Sequence, residues 1–219
     1  AADEDTALET VIVTASRTPD TALTLPAAWS ALNNSTIDRI APQHSNQVFN
    51  RVAGAWVSRG NGQESLISLR SPVLTGAGSC GAFMTAQDGI SLRSPGFCNV
   101  NQLFDVNLLQ AGKLEVLKGP ATVVFGSNAQ HGIINVLSRS VSDTPDQIKV
   151  EAGSRDYYRL AGSAAFGSWA LSAQTTTYGG YQDASGYDQQ KATLRIDNDW
   201  QDWRVEGLLE GSNLNQETA

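Results

Sequence analysis

The 219-residue chain has little of several residue types that usually point to a function. It contains only two cysteines, two histidines and one methionine. No run approaches the roughly 18 apolar residues that a membrane-spanning helix needs. Its 15 basic residues are scattered, are outnumbered by 22 acidic residues and form no block of five or six like charges. We therefore exclude a helical membrane protein and a nucleic-acid-binding protein.

Residues that could carry out chemistry are equally sparse. Neither His44 nor His131 lies near a serine and an aspartate in a recognisable nucleophile motif, which leaves hydrolase chemistry little support. Cys80 and Met84 have a spacing suited to Cu(I), but Met84 is the only methionine and Cys98 is an obvious partner for Cys80. We expect no enzymatic activity, no cofactor and no bound metal.

The two cysteines bear on the cellular compartment. Cys80 and Cys98 have 17 residues between them, and a disulfide formed in an oxidising compartment is the simplest account. Two free thiols in a cytosolic protein are the alternative. The first residues contain no methionine and no apolar signal core, so we expect the chain to begin where a secretory signal has been removed.

Charge and pattern divide the chain into parts. Residues 1–142 carry 9 basic and 10 acidic residues, whereas residues 143–219 carry 6 and 12. The pattern predicts a flexible segment over residues 1–30, a mixed α+β domain over residues 31–142, and about five antiparallel strands over residues 143–219.

Within the α+β domain, Ser45 is a predicted N-cap for a short helix that carries Val48, Phe49 and Val52 and ends at Gly54. A second helix is predicted from Asn99 or Asn101, with Leu103, Val106 and Gln110 on one side. Strands are predicted at 55–58, 66–70, 83–87, 114–117 and 133–137. Asp88-Gly89 predicts a tight hairpin.

The last third alternates apolar and polar residues over five strands of about ten residues. Tight turns mostly alternate with longer loops between these strands, as in an outer-membrane barrel. Aromatic residues cluster at the strand ends, where an aromatic girdle would lie: Trp169, Tyr178, Tyr181, Tyr187, Trp200 and Trp203. A soluble β-meander with one wet face is the alternative. Five strands cannot close a membrane barrel, so we expect the barrel to be truncated.

A β-branched run stands out in the polar leader. Such a segment has high strand propensity and is suited to adding itself to the sheet edge of another protein. An ordinary first strand of the domain is the alternative. The run comprises Glu9, Thr10, Val11, Ile12, Val13, Thr14 and Ala15.

These motifs together resemble a known family. The β-branched run resembles the TonB box, and residues 114–121, 125–127 and 132–136 resemble the signature of the plug domain of TonB-dependent outer-membrane receptors. Leu69-Arg70, Asp88-Gly89-Ile90 and the region of Asp105 follow in the order of that family.

The resemblance implies a fold in which an α+β plug fills a 22-stranded transmembrane β-barrel in the bacterial outer membrane. It implies active uptake of a small molecule, such as a ferric siderophore or another metal chelate, driven by the periplasmic domain of TonB. A soluble periplasmic or secreted binding module with an α+β domain and a β-meander is the alternative.

The resemblance also implies roles for individual residues. Arg70 and Lys118 match plug positions that pair with barrel glutamates, although a lysine lacks the bidentate fork of an arginine. The apical loops, 73–82 and 91–100, would bind substrate and would be joined by a Cys80–Cys98 disulfide. The candidate substrate contacts are Leu74, Thr75, Ser79, Phe83, Arg93 and Phe97.

Overall fold

The computed structural model describes residues 12–13, 20–21, 28–72, 82–92, 102–103, 105–126 and 129–217. The strands are β1 (Ile12–Val13), β2 (Asp20–Thr21), β3 (Ala28–Asn33), β4 (Ala55–Arg59), β5 (Glu64–Leu69), β6 (Met84–Gln87), β7 (Ile90–Ser91), β8 (Gln102–Leu103), β9 (Ala111–Lys118), β10 (Gly132–Ser138), β11 (Gln147–Gly153), β12 (Tyr157–Phe166), β13 (Trp169–Tyr178), β14 (Tyr187–Trp200) and β15 (Trp203–Gln216). The helices are α1 (Asn34–Ile40), α2 (Asn46–Phe49) and α3 (Thr122–Phe125), and a 3-10 turn spans Leu108–Gln110.

The first part of the chain is built on a mixed sheet with the strand order β3-β9-β10-β6-β7. Strand β10 lies at its centre, antiparallel to β9 and parallel to β6. A second sheet, β4-β5-β8, and the short helices complete this part, which we call the plug. Strand β3 already belongs to the plug sheet, so the sheet begins before the predicted boundary at residue 30; the boundary itself stays a prediction.

Both faces of the plug sheet are covered. Alternate residues of β10 point to opposite faces, so Ile134 and Ile133 enter separate apolar clusters. The larger cluster packs α1, α2 and sheet β4-β5 against the first face, with Phe49 and Phe83 fully buried. This arrangement gives the short plug strands a core on each side.

Local sequence explains how α1 begins and how the central hairpin turns. The Asn33 side chain accepts a hydrogen bond from the Thr36 amide at 3.0 Å, which caps the first turn of α1. Asp88 and Gly89 have φ values of 49° and 79°, as the predicted hairpin requires. At Gly132, φ is 141° and a Cβ would lie 2.1 Å from the Leu117 carbonyl oxygen, so only glycine fits there.

The second part is one antiparallel sheet in the order β11-β12-β13-β14-β15, which we call the wall. Its edge strands, β11 and β15, have no strand partner on their outer sides among the described residues, so the sheet is open. Two-residue turns join β12 to β13 and β14 to β15, whereas eight residues separate β13 from β14. The predicted turn pattern is therefore confirmed.

The wall has its polar face buried and its apolar face exposed. Gln189, Lys191 and Thr193 alternate along β14 and are buried against the plug. On the opposite face, Ile148 is 81% exposed and Leu209 is 70% exposed. This polarity is the reverse of that in a water-soluble sheet, which buries its apolar face.

One predicted element is wrong. The helix expected from Asn99 or Asn101 to Gln110 is replaced, in its described portion, by strand β8 and the 3-10 turn at 108–110. The Asn107 side chain accepts from the Leu109 amide at 3.3 Å and donates to the wall, so contacts with another part of the chain override the helical pattern. No helix in the described part of the chain is both long and apolar enough to cross a membrane.

Candidate functional site

The N-terminal run lies mostly outside the described residues. Ile12 and Val13 form β1 and pair antiparallel with Thr21 and Asp20 of β2. The remaining residues of the run are not described: Glu9, Thr10, Val11, Thr14 and Ala15. The backbone of the described pair is that of a strand.

The predicted substrate contacts are also largely outside the described residues. Phe83 is described and is fully buried in the larger plug cluster, where core packing accounts for it. The others lie in the apical loops outside the described ranges: Leu74, Thr75, Ser79, Arg93 and Phe97, together with both cysteines, Cys80 and Cys98. The substrate-binding set and the disulfide therefore stay predictions.

The structure brings Arg70 and Lys118 together. A Cβ placed at Gly54 would lie 3.2 Å from Arg70 Nε and 3.5 Å from Lys118 Cδ, so both side chains share this corner of the plug. Lys118 Nζ donates to Ser30 Oγ at 2.7 Å and to the Ala53 carbonyl at 2.9 Å. Burial lowers the pKa of Lys118, and the neighbouring Arg70 charge lowers it further. Among the ion pairs of the described residues, none includes either cation.

Charged side chains of the wall contact the plug at three places. The first is the segment before the 3-10 turn. Lys191 Nζ donates to the Val106 carbonyl at 3.0 Å, and Asn107 Nδ2 donates to Thr193 Oγ1 at 3.1 Å. The two oxygens of Glu210 accept from the Asn107 amide at 2.6 Å and from Gln87 Nε2 at 2.9 Å. Wall side chains thus satisfy polar plug groups that the interface covers.

The second place is centred on Arg195 of β14. This guanidinium lies 2.7 Å from Asp197, 3.2 Å from Glu206 and 4.0 Å from Asp88 at the tip of the plug hairpin. Asp197 also accepts from the Val141 amide at 2.9 Å, in the segment that joins plug to wall. The group links the hairpin, the connecting segment and two wall strands.

The third place is the end of α1. Asp38 pairs with Arg139 at 3.2 Å and with Lys149 of β11 at 3.5 Å. Arg159 of β12 reaches the carbonyls that follow the helix. A cavity of about 50 Å³ beside this contact has room for a few water molecules.

Aromatic residues mark both ends of the wall, but not all of them face outward. Trp169, Trp200 and Trp203 are exposed on the outer side, as a girdle would be. Tyr187, predicted for the same girdle, is instead buried and donates to the Gln43 carbonyl at 3.4 Å. Its ring centroid lies 5.7 Å from that of Tyr178. The outward expectation for Tyr187 is wrong because residue parity along β14 turns it toward the plug.

Several of these residues were not found from the sequence. Arg159, Lys191, Arg195 and Glu210 read there only as members of a polar strand face. The sequence signal that could have found them is the alternation of the strands, which puts each of these four residues on the inward face. Helix α1 was also missed, although Asn33 is a suitable cap for it. Among the described residues, no group of three or more His, Cys, Asp or Glu side chains could hold a metal ion.

A family model described as the TonB-dependent receptor plug domain matches residues 21–133, just over half of the chain. The chain belongs to this family. The resemblance read from the sequence is therefore confirmed, as is the fold class of an α+β plug domain followed by antiparallel strands.

Solved structures of TonB-dependent receptors share the fold. The ferric yersiniabactin uptake receptor FyuA of Yersinia pestis matches with a TM-score of 0.61 at 21% identity, and FpvA of Pseudomonas aeruginosa with 0.67 at 19%. Both matches cover 86% of this chain, and they cover 31% and 25% of those proteins. The copper transporter OprC matches with 0.65 at 16%, covering 94% of this chain and 31% of its own. This chain thus spans 25–31% of the length of these three proteins.

Proposed function

We propose that the chain supplies the plug and part of the barrel wall of a TonB-dependent receptor in the bacterial outer membrane. The observation that carries the proposal is a plug-family domain packed on the polar face of a sheet whose apolar face is exposed. Lipid surrounds an outer-membrane barrel, so its outward residues are apolar and its inward ones polar. A soluble binding module would instead leave this large apolar face in water.

The proposed cargo is a ferric siderophore or another metal chelate. FyuA is named as an uptake receptor for ferric yersiniabactin, FpvA was solved with a pyoverdine–iron complex, and OprC is named as a copper transporter. The apical loops of the plug would contact the cargo. Uptake of radiolabelled iron, offered as complexes with a panel of chelators, tests this proposed cargo. A receptor that transports none of these iron complexes would contradict it.

The proposed energy source is TonB, whose periplasmic domain would pair with the run 9–15 as an added strand. Main-chain hydrogen bonds would then supply affinity, and alternate side chains specificity. The strand backbone of Ile12 and Val13 supports this proposal, because extended residues are ready to pair with another edge. Pulling on this segment would move the plug and open the lumen.

Substituting Val11 by proline tests the partner. Proline removes a backbone donor and breaks the ladder, so Val11→Pro should abolish uptake and the binding of a 9–15 peptide to TonB. Thr24→Pro, in the same leader but outside the run, should leave both intact. Normal uptake by Val11→Pro would contradict the TonB-box assignment.

We propose that Arg70 and Lys118 form a lock with glutamates of the barrel wall. Two adjacent cations without a carboxylate partner among the described residues are a natural target for acidic side chains. An arginine guanidinium can bind a carboxylate through two hydrogen bonds, which the Lys118 ammonium cannot do in the same way. Lys118→Arg should therefore strengthen the lock and slow uptake. A rise in the uptake rate of this variant would argue against the lock.

A disulfide between Cys80 and Cys98 would tie the two apical loops under the cargo. Mass spectrometry of peptides from the unreduced protein should show one peptide pair joined through these residues. Closing such a loop stabilises by about 3 kcal/mol in the chain-entropy account, so reduction should also lower the unfolding temperature. Recovery of both cysteines as free thiols would refute the pairing.

A further inference from the structure

Helix α1 ends in a way that leaves backbone acceptors for another part of the chain. Ala41 is its C-cap, with φ 45° and ψ 58°, and donates its amide to the Ile37 carbonyl. Pro42 follows and cannot continue the helix. The last carbonyls of a helix have no partner within it, so those of this segment depend on outside donors.

Arg159 provides those donors from the wall. Its Nη1 donates to the Pro42 carbonyl at 2.7 Å, and its Nη2 donates to the Ala41 carbonyl at 3.1 Å. The residue is only 6% exposed, on the inward side of β12. A cation near the end of a helix also interacts favourably with its dipole.

Glu151 orients this arginine within the wall. It stands directly opposite Arg159 in the register of β11 and β12, and it accepts from Nη2 at 2.5 Å. Its second oxygen accepts from the Tyr157 hydroxyl at 3.3 Å. The charge of Arg159 is therefore balanced inside the wall, while Nη1 and Nη2 also donate to the plug.

Neighbouring contacts act on the same segment. Asp38 of α1 pairs with Lys149 of β11 at 3.5 Å, and Tyr187 of β14 donates to the Gln43 carbonyl at 3.4 Å. Three wall strands thus hold residues 38–43. Strand β3, just before α1, pairs with β9 inside the plug.

We propose that Arg159 is a positioning residue that holds the end of α1 on the wall and so keeps this side of the lumen closed. The inference rests on the proposed receptor function and deepens it. The contact differs from the predicted Arg70 and Lys118 lock, because the cation belongs to the wall and the acceptors are plug backbone. Side-chain changes in the plug segment would leave these acceptors in place.

Exchanging the two charges separates this role from a merely structural one. Glu151→Arg combined with Arg159→Glu keeps a cross-strand ion pair in the wall, but it places a carboxylate against the plug carbonyls. Arg159→Gln removes the charge, whereas Arg159→Lys keeps the charge but loses the two-pronged guanidinium donor. Arg204→Gln is the control, because it removes a wall arginine that is 60% exposed and pairs with Glu206.

Hydrogen exchange of backbone amides 37–45, in outer-membrane vesicles containing the intact gene product, is the measurement. Losing two hydrogen bonds to a charged donor should speed exchange at least about tenfold in Arg159→Gln and in the exchanged pair. Arg159→Lys should fall between them and wild type, and Arg204→Gln should match wild type. In cells that lack TonB, entry of a bulky antibiotic should be greatest for Arg159→Gln and the exchanged pair and intermediate for Arg159→Lys. Entry in Arg204→Gln should equal that in wild type.

If amides 37–45 exchange in Arg159→Gln, or in the exchanged pair, at the wild-type rate, the proposal is overturned. Arg159 would then stabilise only its own wall strand. If the exchanged pair also disturbs β11 and β12, Arg159→Lys decides: better protection of α1 than in Arg159→Gln supports the proposal, and equal loss rejects it. Exchange is measured without cargo or TonB. A failure of the receptor function would therefore show in the Val11→Pro uptake assay and leave this result separate.

Discussion

At the scale of single residues, His44 shows how the plug uses a titratable group as a fixed structural part. It is buried, and its Nε2 donates to the Glu64 carbonyl at 3.0 Å while its Nδ1 accepts from the Asn46 amide at 3.1 Å. The Glu64 carbonyl requires the proton on Nε2, and burial favours the neutral form of the ring. The residue joins α2 to β5 in the plug.

The pH dependence of plug stability should follow from this histidine. Burial lowers the pKa of His44 below 6.5 in the folded chain, against the opposing effect of its bond to Glu64. The unfolded chain then binds the proton more readily. The stabilisation is complete above about pH 6.5 and is lost as the pH falls below that value toward the folded pKa.

Denaturant unfolding at pH 7.5, 6.5 and 5.5 measures the effect of His44. The wild-type free energy of unfolding should decline across this range, and His44→Gln should decline less. His131→Gln, which removes the only other histidine, is the comparison variant. Identical slopes for wild type and His44→Gln would contradict the expectation.

At the scale of elements, the wall strands combine an ordinary β pattern with a reversed environment. On β13, Leu171 is exposed outward whereas Ser172 and Thr176 are buried inward. Alternation predicts two faces but does not say which one meets the core. On the neighbouring strand β14, the buried Lys191 and Thr193 have hydrogen-bond partners in the plug, which helps to make the reversed arrangement possible.

Ala173→Lys, in the middle of β13 on its exposed face, tests whether the outward face meets lipid. A lysine near the middle of a bilayer costs about 2–4 kcal/mol in a barrel strand, but close to nothing near the interface. The variant should therefore reduce the fraction recovered in outer membranes. Thr177→Lys lies on the same face of the same strand near its end and should be tolerated.

Membrane fractionation followed by immunoblotting gives this comparison. If the protein were a soluble module, Ala173→Lys would replace an exposed alanine in water and would leave its yield unchanged or improved. Equal recovery of the two lysine variants in the membrane would thus count against the lipid-facing assignment.

At the scale of the whole molecule, plug and wall are joined mainly by polar contacts. Glu210 bridges the Asn107 amide and the Gln87 side chain, Arg195 reaches Asp88, and Arg159 reaches backbone carbonyls. When the plug moves, the polar groups of such an interface can replace their hydrogen bonds by hydrogen bonds to water. Separating an apolar interface would cost more free energy. An interface of this kind suits the proposed displacement of the plug by TonB.

Glu210→Gln should weaken that attachment locally. The glutamine NH2 group would face one of the two donors and cannot accept its hydrogen bond, so at least one hydrogen bond to a charged acceptor is lost, at a cost of about 1.5–3 kcal/mol. Backbone amides 105–110 should exchange faster, as seen by mass spectrometry. Glu206→Gln, whose partners Arg195 and Arg204 belong to the wall, is the control. An unchanged exchange rate in Glu210→Gln would show that the Glu210 bridge does not stabilise the attachment of the plug to the wall.

Local signals in the sequence were sufficient for much of the fold. The Asp88-Gly89 hairpin, the strand at 133–137 and the five wall strands follow from turn chemistry and from period-two alternation, which depend on neighbouring residues alone. The signature motifs were likewise enough to identify the family. Where long-range contacts competed, as at Asn107, the local pattern predicted the wrong element.

What the sequence determined by itself was therefore the order of most strands, the two faces of each wall strand and the plug family. Tertiary structure alone decided which face is buried, that Tyr187 points inward, and that Arg159, Lys191 and Glu210 meet the plug. The physical reason is that alternation is a property of one strand, whereas a partner for a buried charge comes from whichever distant segment the fold places opposite it.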